Sequence, residues 1–328
     1  MEDFPTADQS RRIQVLRGLA IVAVVAIHCA KPPSQEIFLR PFLNFCVGLF
    51  LFLSGALSDA RTTDPWRRLK KVLIPYLLWT AIYSLYHDFR HLGEWPSDFL
   101  LQAISGRATA AMYYIFVYCE LTLLIPFMAK LAESRFKYWG LLLAPFSILL
   151  LGEMPLACGF AWPEWFVWVR DVSFFEWSSY FYLGYLMGNR LFSPKIKTGT
   201  LVFLWGCSIA IQMLEGYAYA SLGDANPGTQ MKLSALLSGT LFCMLAFRFA
   251  FSDAPFRPWM VPLKFLGDRS FGIYFCHILI MSLLSRIPGY AARVDFWEGK
   301  FIATLGASFL FVALLGKIAK KYGKCLAC

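Results

Sequence analysis

The chain has 328 residues, of which 58% are apolar and 16% are charged, and its mean hydropathy is +0.54. Soluble domains carry about 25% charged residues, so this composition excludes an ordinary soluble enzyme. The net charge of +10 would suggest a nucleic-acid partner in a soluble protein, but here it is expected of basic cytoplasmic loops, and we expect no nucleic acid to bind.

Ten apolar blocks of membrane-spanning length follow one another along the chain, and each predicts a transmembrane helix. The predicted helices cover residues 13–30, 37–58, 71–87, 111–130, 137–152, 172–191, 199–217, 230–251, 264–286 and 300–318. The connecting segments are too short to hold a soluble domain. The predicted fold class is therefore all-α, a polytopic membrane protein with one integral membrane domain over residues 1–328.

Lys and Arg are shared unequally between the two sides of the predicted bundle. Most of them lie in one alternating set of segments, at residues 11–12, 61–71, 130–137, 190–197, 248–264 and 317–324. The side richer in these residues faces the cytoplasm, and an even number of helices then places both termini there. We expect a multi-pass protein of a bacterial inner membrane.

The first predicted helix carries two ionisable residues, Arg17 and His28. They are eleven residues apart, so they share one helix face about 16 Å apart along the axis. Ionisable groups inside a bilayer are rare and mark functional sites. One interpretation is a phosphate-binding arginine and a histidine base. The other is an arginine that reaches the lipid headgroups and a histidine in a structural hydrogen bond.

Small residues and a cluster of cations mark the second and third predicted helices. Ser54 and Gly55 lie between bulky apolar residues, a pattern that permits close helix contact. The next helix begins with a basic cluster made of Arg67, Arg68, Lys70 and Lys71. These cations fit either a cytoplasmic loop that sets orientation or a site for an acidic cofactor.

Two further ionisable residues, Glu120 and His277, lie near the middle of predicted helices. A carboxylate inside a membrane needs a partner, and a histidine or arginine across the bundle is the natural candidate. His277 fits a proton-handling group or, alternatively, an interhelix hydrogen bond.

The two longest predicted outer loops, 87–110 and 153–171, contain aromatic and histidine residues. In the second loop Trp162, Trp165 and Trp168 recur every three residues and so share one side of a helical turn. This pattern fits an interfacial aromatic belt or a platform under a sugar or lipid acceptor.

A metal site is a weaker possibility in the first of these loops. His87 and His91 are four residues apart, and Glu94 or Asp98 would complete a ligand set. Solvated loop residues are the more ordinary interpretation, so no metal is expected. Most of the nine cysteines lie in apolar blocks, where cysteine behaves as a small hydrophobic residue.

Four motifs occur in one order along the chain. They are Arg17-x10-His28, Phe52-Leu-Ser54-Gly55, Arg68-x-x-Lys71 before Pro75-Tyr-Leu-Leu-Trp79, and Ser270-Phe-Gly-Ile-Tyr-Phe-Cys-His277. This series resembles the acyltransferase-3 family of membrane-bound O-acyltransferases, many of which acetylate bacterial surface glycans. The resemblance covers essentially the whole chain.

The resemblance implies a donor, an acceptor and roles for particular residues. The donor would be acetyl-CoA and the acceptor a glycan or lipid-linked sugar, with His28 as the essential histidine and Arg17 as its paired basic residue. Arg68 and Lys71 match the family's RxxR motif, with a lysine that keeps the charge but loses the bidentate fork. The remaining candidates are Arg67 for the donor and Glu120, His277, Trp162 and Trp165 for the acceptor.

A proton-coupled transporter is the competing function, because intramembrane Arg, His and Glu also mark proton pathways. Paired halves interrupted by Gly or Pro, which are typical of such transporters, are not evident in the sequence. The sequence leaves homo-oligomerisation and the identity of the acceptor open.

Overall fold

The computed structural model describes residues 5–30, 33–87, 93, 95–290, 294 and 296–318. Within these residues the regular structure is entirely helical. The chain divides into two compact units. Unit 1 comprises Met1–Thr63, Leu124–Arg170 and Phe174–Asp268, and unit 2 comprises Asp64–Leu123, Asp171–Ser173 and Arg269–Cys328.

Most of the helices belong to unit 1. They are α1 (Ala7–Cys29), α2 (Pro33–Leu39), α3 (Phe45–Ala56), α7 (Ile125–Glu133), α8 (Leu143–Ile148), α9 (Met154–Ala157), α10 (Glu164–Val172, whose last residues fall in unit 2), α11 (Ser178–Gly188), α12 (Thr198–Ser221), α13 (Leu233–Ala250) and α14 (Val261–Asp268). A π-helical turn, Leu149–Glu153, joins α8 to α9.

Glycine residues allow two helix pairs of unit 1 to approach at backbone distance. A Cβ on Gly18 of α1 would overlap the Leu263 carbonyl oxygen of α14, and one on Gly267 would overlap that of Gln14. Without Cβ atoms, the two backbones come into direct contact, the same geometry that small residues provide in membrane helix pairs.

The pair α3 and α11 is packed in the same way. A Cβ on Gly55 would overlap the Phe181 carbonyl oxygen, and one on Gly184 would overlap that of Phe52. The close contact predicted from the Ser54-Gly55 pattern is confirmed.

Unit 2 contains α4 (Pro65–His87), α5 (Trp95–Ser105), α6 (Tyr113–Leu123), α15 (Ser270–Ser285) and α16 (Trp297–Ile318). Tyr83 joins α4 to α15, because its hydroxyl donates to the Phe275 carbonyl at 2.8 Å and accepts from the Leu279 amide at 3.0 Å. Trp79 stacks in parallel on Phe275, with ring centroids 6.3 Å apart.

Six helical segments of the described residues are long and apolar enough to cross a membrane, or seven if α6 and α7 form one span. They are Ala7–Cys29, Ser34–Ala56, Trp139–Ala157, Thr198–Ser221, Leu233–Ala250 and Trp297–Lys317. The all-helical membrane class is thus supported, whereas ten spans and cytoplasmic termini stay predictions.

Several predicted helices are interrupted in the structure. The block 37–58 contains a 3-10 turn at Arg40–Phe42, the block 111–130 breaks at Leu124, and the block 264–286 breaks at Arg269. Pro41 lies within the 3-10 turn, and Pro126 lies in the first turn of the helix that follows the break at Leu124, where a missing N–H does no harm to a new helix.

Candidate functional site

Helix α1 positions Arg17 and His28 in unit 1. The helix starts at a capping box in which Thr6 accepts from the Gln9 amide and Gln9 accepts from the Thr6 amide. Arg17 and His28 are half-buried, and the eleven-residue interval between them puts them on one face about 16 Å apart along the axis. Ile21, between them on the same face, is fully buried. The structure therefore fixes the two candidate residues on one rigid element.

The basic cluster of α4 in unit 2 is divided between two faces of the helix. Arg68 is half-buried and shares its face with the buried Pro75 and Trp79, seven and eleven residues further on. Arg67 and Lys71 are exposed. Arg67 lies on the same helix face as Ile74, seven residues further on, and Ile74 is also exposed. Of the predicted donor-binding residues in this cluster, Arg68 alone lies towards the packed side of α4.

His277 lies on α15 and is fully buried. Its Nδ1 is 2.7 Å from the Tyr274 carbonyl oxygen and 3.1 Å from that of Ile273. A carbonyl oxygen only accepts, so Nδ1 donates and the neutral ring carries its lone pair on Nε2. Glu120 lies half-buried on α6 of the same unit. The histidine is thus held in one tautomer by its own helix.

The tryptophans of the second predicted outer loop do not form a single platform. Trp162 precedes α10, and its Nε1 donates to the Leu151 carbonyl at 2.9 Å. Its ring lies 4.4 Å from that of Phe166. Trp165, by contrast, is 66% exposed. Trp162 is therefore part of the packing, and Trp165 is the one of these two available to a ligand or to lipid.

The carbonyl of Leu151 lies in the π-helical turn and accepts a second side-chain donor, Nη1 of Arg170, at 3.2 Å. Arg170 also pairs with the buried carboxylate of Glu176 at 3.8 Å. π-Helical turns are rare and are often found at functional sites. Sequence reasoning did not single out this turn.

A buried polar network near the start of α13 was likewise missed. Glu153 accepts from the Leu233 amide at 2.7 Å, and Ser234 donates to Glu215. Lys232 is 1% exposed and donates to the carbonyls of Gln212 and Pro227, at 3.2 and 3.0 Å. Burial lowers the pKa of Lys232, and the carboxylate of Glu215 opposes that shift. The acidic residues stabilise the start of α13 because they meet the positive end of its dipole.

A cavity of about 750 Å³ lies in unit 1 at the ends of α1, α11 and α13. Its charged lining residues are Arg190, Arg248 and Asp253. From the sequence, Arg190 and Arg248 were predicted only to be basic residues on the cytoplasmic side. No local pattern distinguishes them from the other basic residues of that side. Their convergence depends on contacts between helices far apart in the chain.

The candidate metal pair of the first predicted outer loop lies only partly within the described residues. His87 ends α4, whereas His91 and Glu94 lie outside the described residues. Over the described ranges there is no group of three His, Cys, Asp or Glu side chains that could hold a metal ion.

One family model matches this chain, and it does so over residues 10–317. That model is Acyl_transf_3, described as an acyltransferase domain. No curated protein and no solved structure matched.

Proposed function

This chain belongs to the acyltransferase-3 family, and from that premise we propose that it is a membrane O-acyltransferase that moves an acetyl group from acetyl-CoA to a sugar hydroxyl. The acceptor in this proposal is a cell-surface polysaccharide or a lipid-linked oligosaccharide. The family match and the apolar helices support an acyltransferase in a membrane. The donor, the acceptor and a bacterial inner-membrane location are the proposed part.

His28 is the proposed general base. Its imidazole takes the proton of the acceptor hydroxyl as the hydroxyl oxygen attacks the acetyl carbonyl. The new C–O bond forms, the C–S bond of the thioester breaks, and the leaving CoA sulfur receives the proton from the imidazolium. The reaction is balanced without an oxidant or a metal ion.

Arg17 and Arg68 are the proposed donor-binding cations. A guanidinium presents a planar set of donors that matches a phosphate oxygen pair. Arg68 supports this role because it lies towards the packed side of α4. Lys71 supplies charge from an exposed position, and Arg67 is the weaker candidate because it lies on the outward face.

Acceptor recognition is assigned to Trp165, with Trp162, Glu120 and His277 in supporting positions. The exposed indole of Trp165 offers an apolar face to a sugar ring. His277 is fully buried, so its proposed contribution is to hold neighbouring groups in place.

The observation that carries the proposal is the Arg17–His28 pair on one face of α1, within the segment that the family model matches. We expect His28→Ala to lower acetyl transfer from radiolabelled acetyl-CoA by about 100-fold or more, because a general base contributes that much. His87→Ala, which changes an exposed histidine at the end of α4, is the matched control and should keep full activity.

Both variants are compared by size-exclusion profile and thermal midpoint in detergent. A correctly folded His28→Ala protein that still transfers acetyl groups would rule out the assigned role. Failure of the wild-type protein to bind acetyl-CoA at all would instead favour the transporter.

A further inference from the structure

The cavity in unit 1 is lined by the ends of helices that begin or finish on one side of the bundle. It lies at the start of α1, at Thr6 and Gln9, and at the finish of α11 and α13. The distribution of Lys and Arg assigns these ends to the cytoplasm. A cavity of about 750 Å³ is within the range of sites for small molecules and cofactors.

The wall charges of the cavity favour an anion. Arg190 and Arg248 line it, and Asp253 opposes them. Arg248 donates to Thr198 at 3.0 Å and to the Pro194 carbonyl at 3.2 Å, so its charge is fixed in the wall. Carbonyls at the end of a helix would repel an anion, but Arg12 donates to the carbonyl of Ala250 and to those of Ser252 and Ala254 just beyond α13.

The remaining surface of the cavity suits an aromatic base joined to a sugar. Phe192, Phe247 and Phe251 supply rings, and the polar residues Thr6, Gln9 and Ser193 also line the space. The rings of Phe247 and Phe251 are 4.5 Å apart between centroids. Flat apolar rings can stack on an adenine ring, and the cations beside them can bind a phosphate.

Arg190 occupies a backbone conformation that is normally reserved for glycine. Its φ is 59°, and it follows α11 with the Arg190 amide donating to Met187 and the Leu191 amide donating to Leu186. This is the helix-ending pattern in which glycine is strongly preferred, because other residues are strained there. An arginine at this position costs stability, and such strain is often found at functional sites.

We propose that this cavity binds the adenosine bisphosphate end of acetyl-CoA, with Arg190 as the main phosphate ligand and Arg248 as a fixed second charge. The inference rests on the proposed acetyl-CoA dependence and adds the site for the nucleotide. The N-cap residue Thr6, Arg17 and His28 are spaced by eleven residues, so they lie within about 40° of one another around α1. The cavity therefore lies on the side of α1 that carries Arg17 and His28.

The test uses the full-length protein in detergent and measures the binding of CoA and of adenosine 3′,5′-bisphosphate. Arg190→Gly should bind both probes about tenfold more weakly or worse, because a charged hydrogen bond is lost. The same variant should be at least as heat-stable as the wild type, because glycine relieves the strain. Arg135→Ala removes an exposed arginine that does not line the cavity and should change neither value.

Asp253→Asn provides a second test of opposite sign. Removing this carboxylate should tighten binding of adenosine 3′,5′-bisphosphate by about twofold or more at low salt. If the wild type binds CoA and neither Arg190→Gly nor Asp253→Asn alters binding, the cavity is not the nucleotide site and the proposed function still stands. If the wild type binds no CoA, the proposed function itself fails.

Discussion

Arg12 connects the first helix to the end of α13, 238 residues further along the chain. It is 1% exposed, and its Nε donates to the Ala250 carbonyl at 3.2 Å. Its two terminal nitrogens donate to Ser252 and Ala254. The last carbonyls of a helix have no partner within the helix, so this guanidinium satisfies that of Ala250 and stabilises the negative end of the dipole. It also holds the segment that follows α13, through Ser252 and Ala254.

We expect Arg12→Ala to lower the free energy of unfolding by about 3 kcal/mol or more, because it leaves one buried and two part-buried carbonyls without their donor. The neighbouring Arg11→Ala is the control. Arg11 pairs with Asp8 at 3.5 Å on the exposed side of α1, and an exposed ion pair contributes about 0–1 kcal/mol. Denaturation in detergent, followed by tryptophan fluorescence, would measure the difference. Equal losses in the two variants would contradict this account of Arg12.

Sequence reasoning grouped Arg11 and Arg12 together as cytoplasmic loop charges. The structure separates them, because consecutive residues of a helix point about 100° apart. Only Arg12 turns towards α13. The partners of Arg12 are backbone carbonyls, which carry no sequence signal, so burial of this arginine could not be predicted. Arg17 and His28 were predictable as a pair because their relation lies within one helix.

The contact between α3 and α11 depends on glycines that face a carbonyl of the opposite helix. We expect Gly55→Ala to destabilise the protein by about 1–3 kcal/mol, because the added Cβ forces the two backbones apart. Gly206→Ala on α12 is the matched control, since no atom lies within 4 Å of its added Cβ. That change should stabilise the helix by up to about 1 kcal/mol.

Thermal midpoints of the two glycine variants in one detergent would test this contrast. A Gly55→Ala protein as stable as the wild type would mean that the helices separate without loss. The expected changes in stability have opposite signs in the two variants. This contrast distinguishes a loss of helix packing from a general effect of replacing glycine by alanine.

At the scale of elements, the apolar blocks predicted where helices lie but not where they break. Apolar residues continue through Leu124, so the hydropathy pattern does not register that break. Arg40, Pro41 and Asn44 do interrupt the block 37–58, but the mean hydropathy of the segment stays high enough for one membrane span. A proline at the start of a helix and a proline inside one look alike in sequence, as Pro75 within α4 shows. Packing against other elements decides whether a helix begins at a proline or continues through it.

The orientation of the whole molecule is a prediction that reporter fusions can test. Alkaline phosphatase is active only outside the cytoplasm. We expect a fusion after Gly223, beyond the end of α12, to be active and a fusion after Ser193, before its start, to be inactive. A single helix separates the two sites, so each serves as the control for the other.

Reversed activities would place the cavity and the start of α1 on the outer side, away from cytoplasmic acetyl-CoA. That result would contradict both the predicted orientation and the direction from which the donor is proposed to arrive.

For the molecule as a whole, family membership was predicted from motifs whose members are close in sequence or carried by one helix. The match over residues 10–317 confirms it. The cavity and the network around Glu153 and Lys232 were not predicted, because their residues come from several helices and a loop. Identifying such a site from one sequence requires the packing of the helices, and periodicity alone does not provide it.

The π-helical turn at Leu149–Glu153 makes the length of its helix as important as the residues in it. Such a turn contains one residue more than an α-helical turn. Deletion of one residue there would remove the residue that the wide turn absorbs and would restore regular α-helical hydrogen bonds in the backbone. The Glu153 carboxylate would then leave the Leu233 amide, and the Leu151 carbonyl would leave Trp162 and Arg170. Evolution can therefore exchange side chains along this helix more freely than it can change the number of residues.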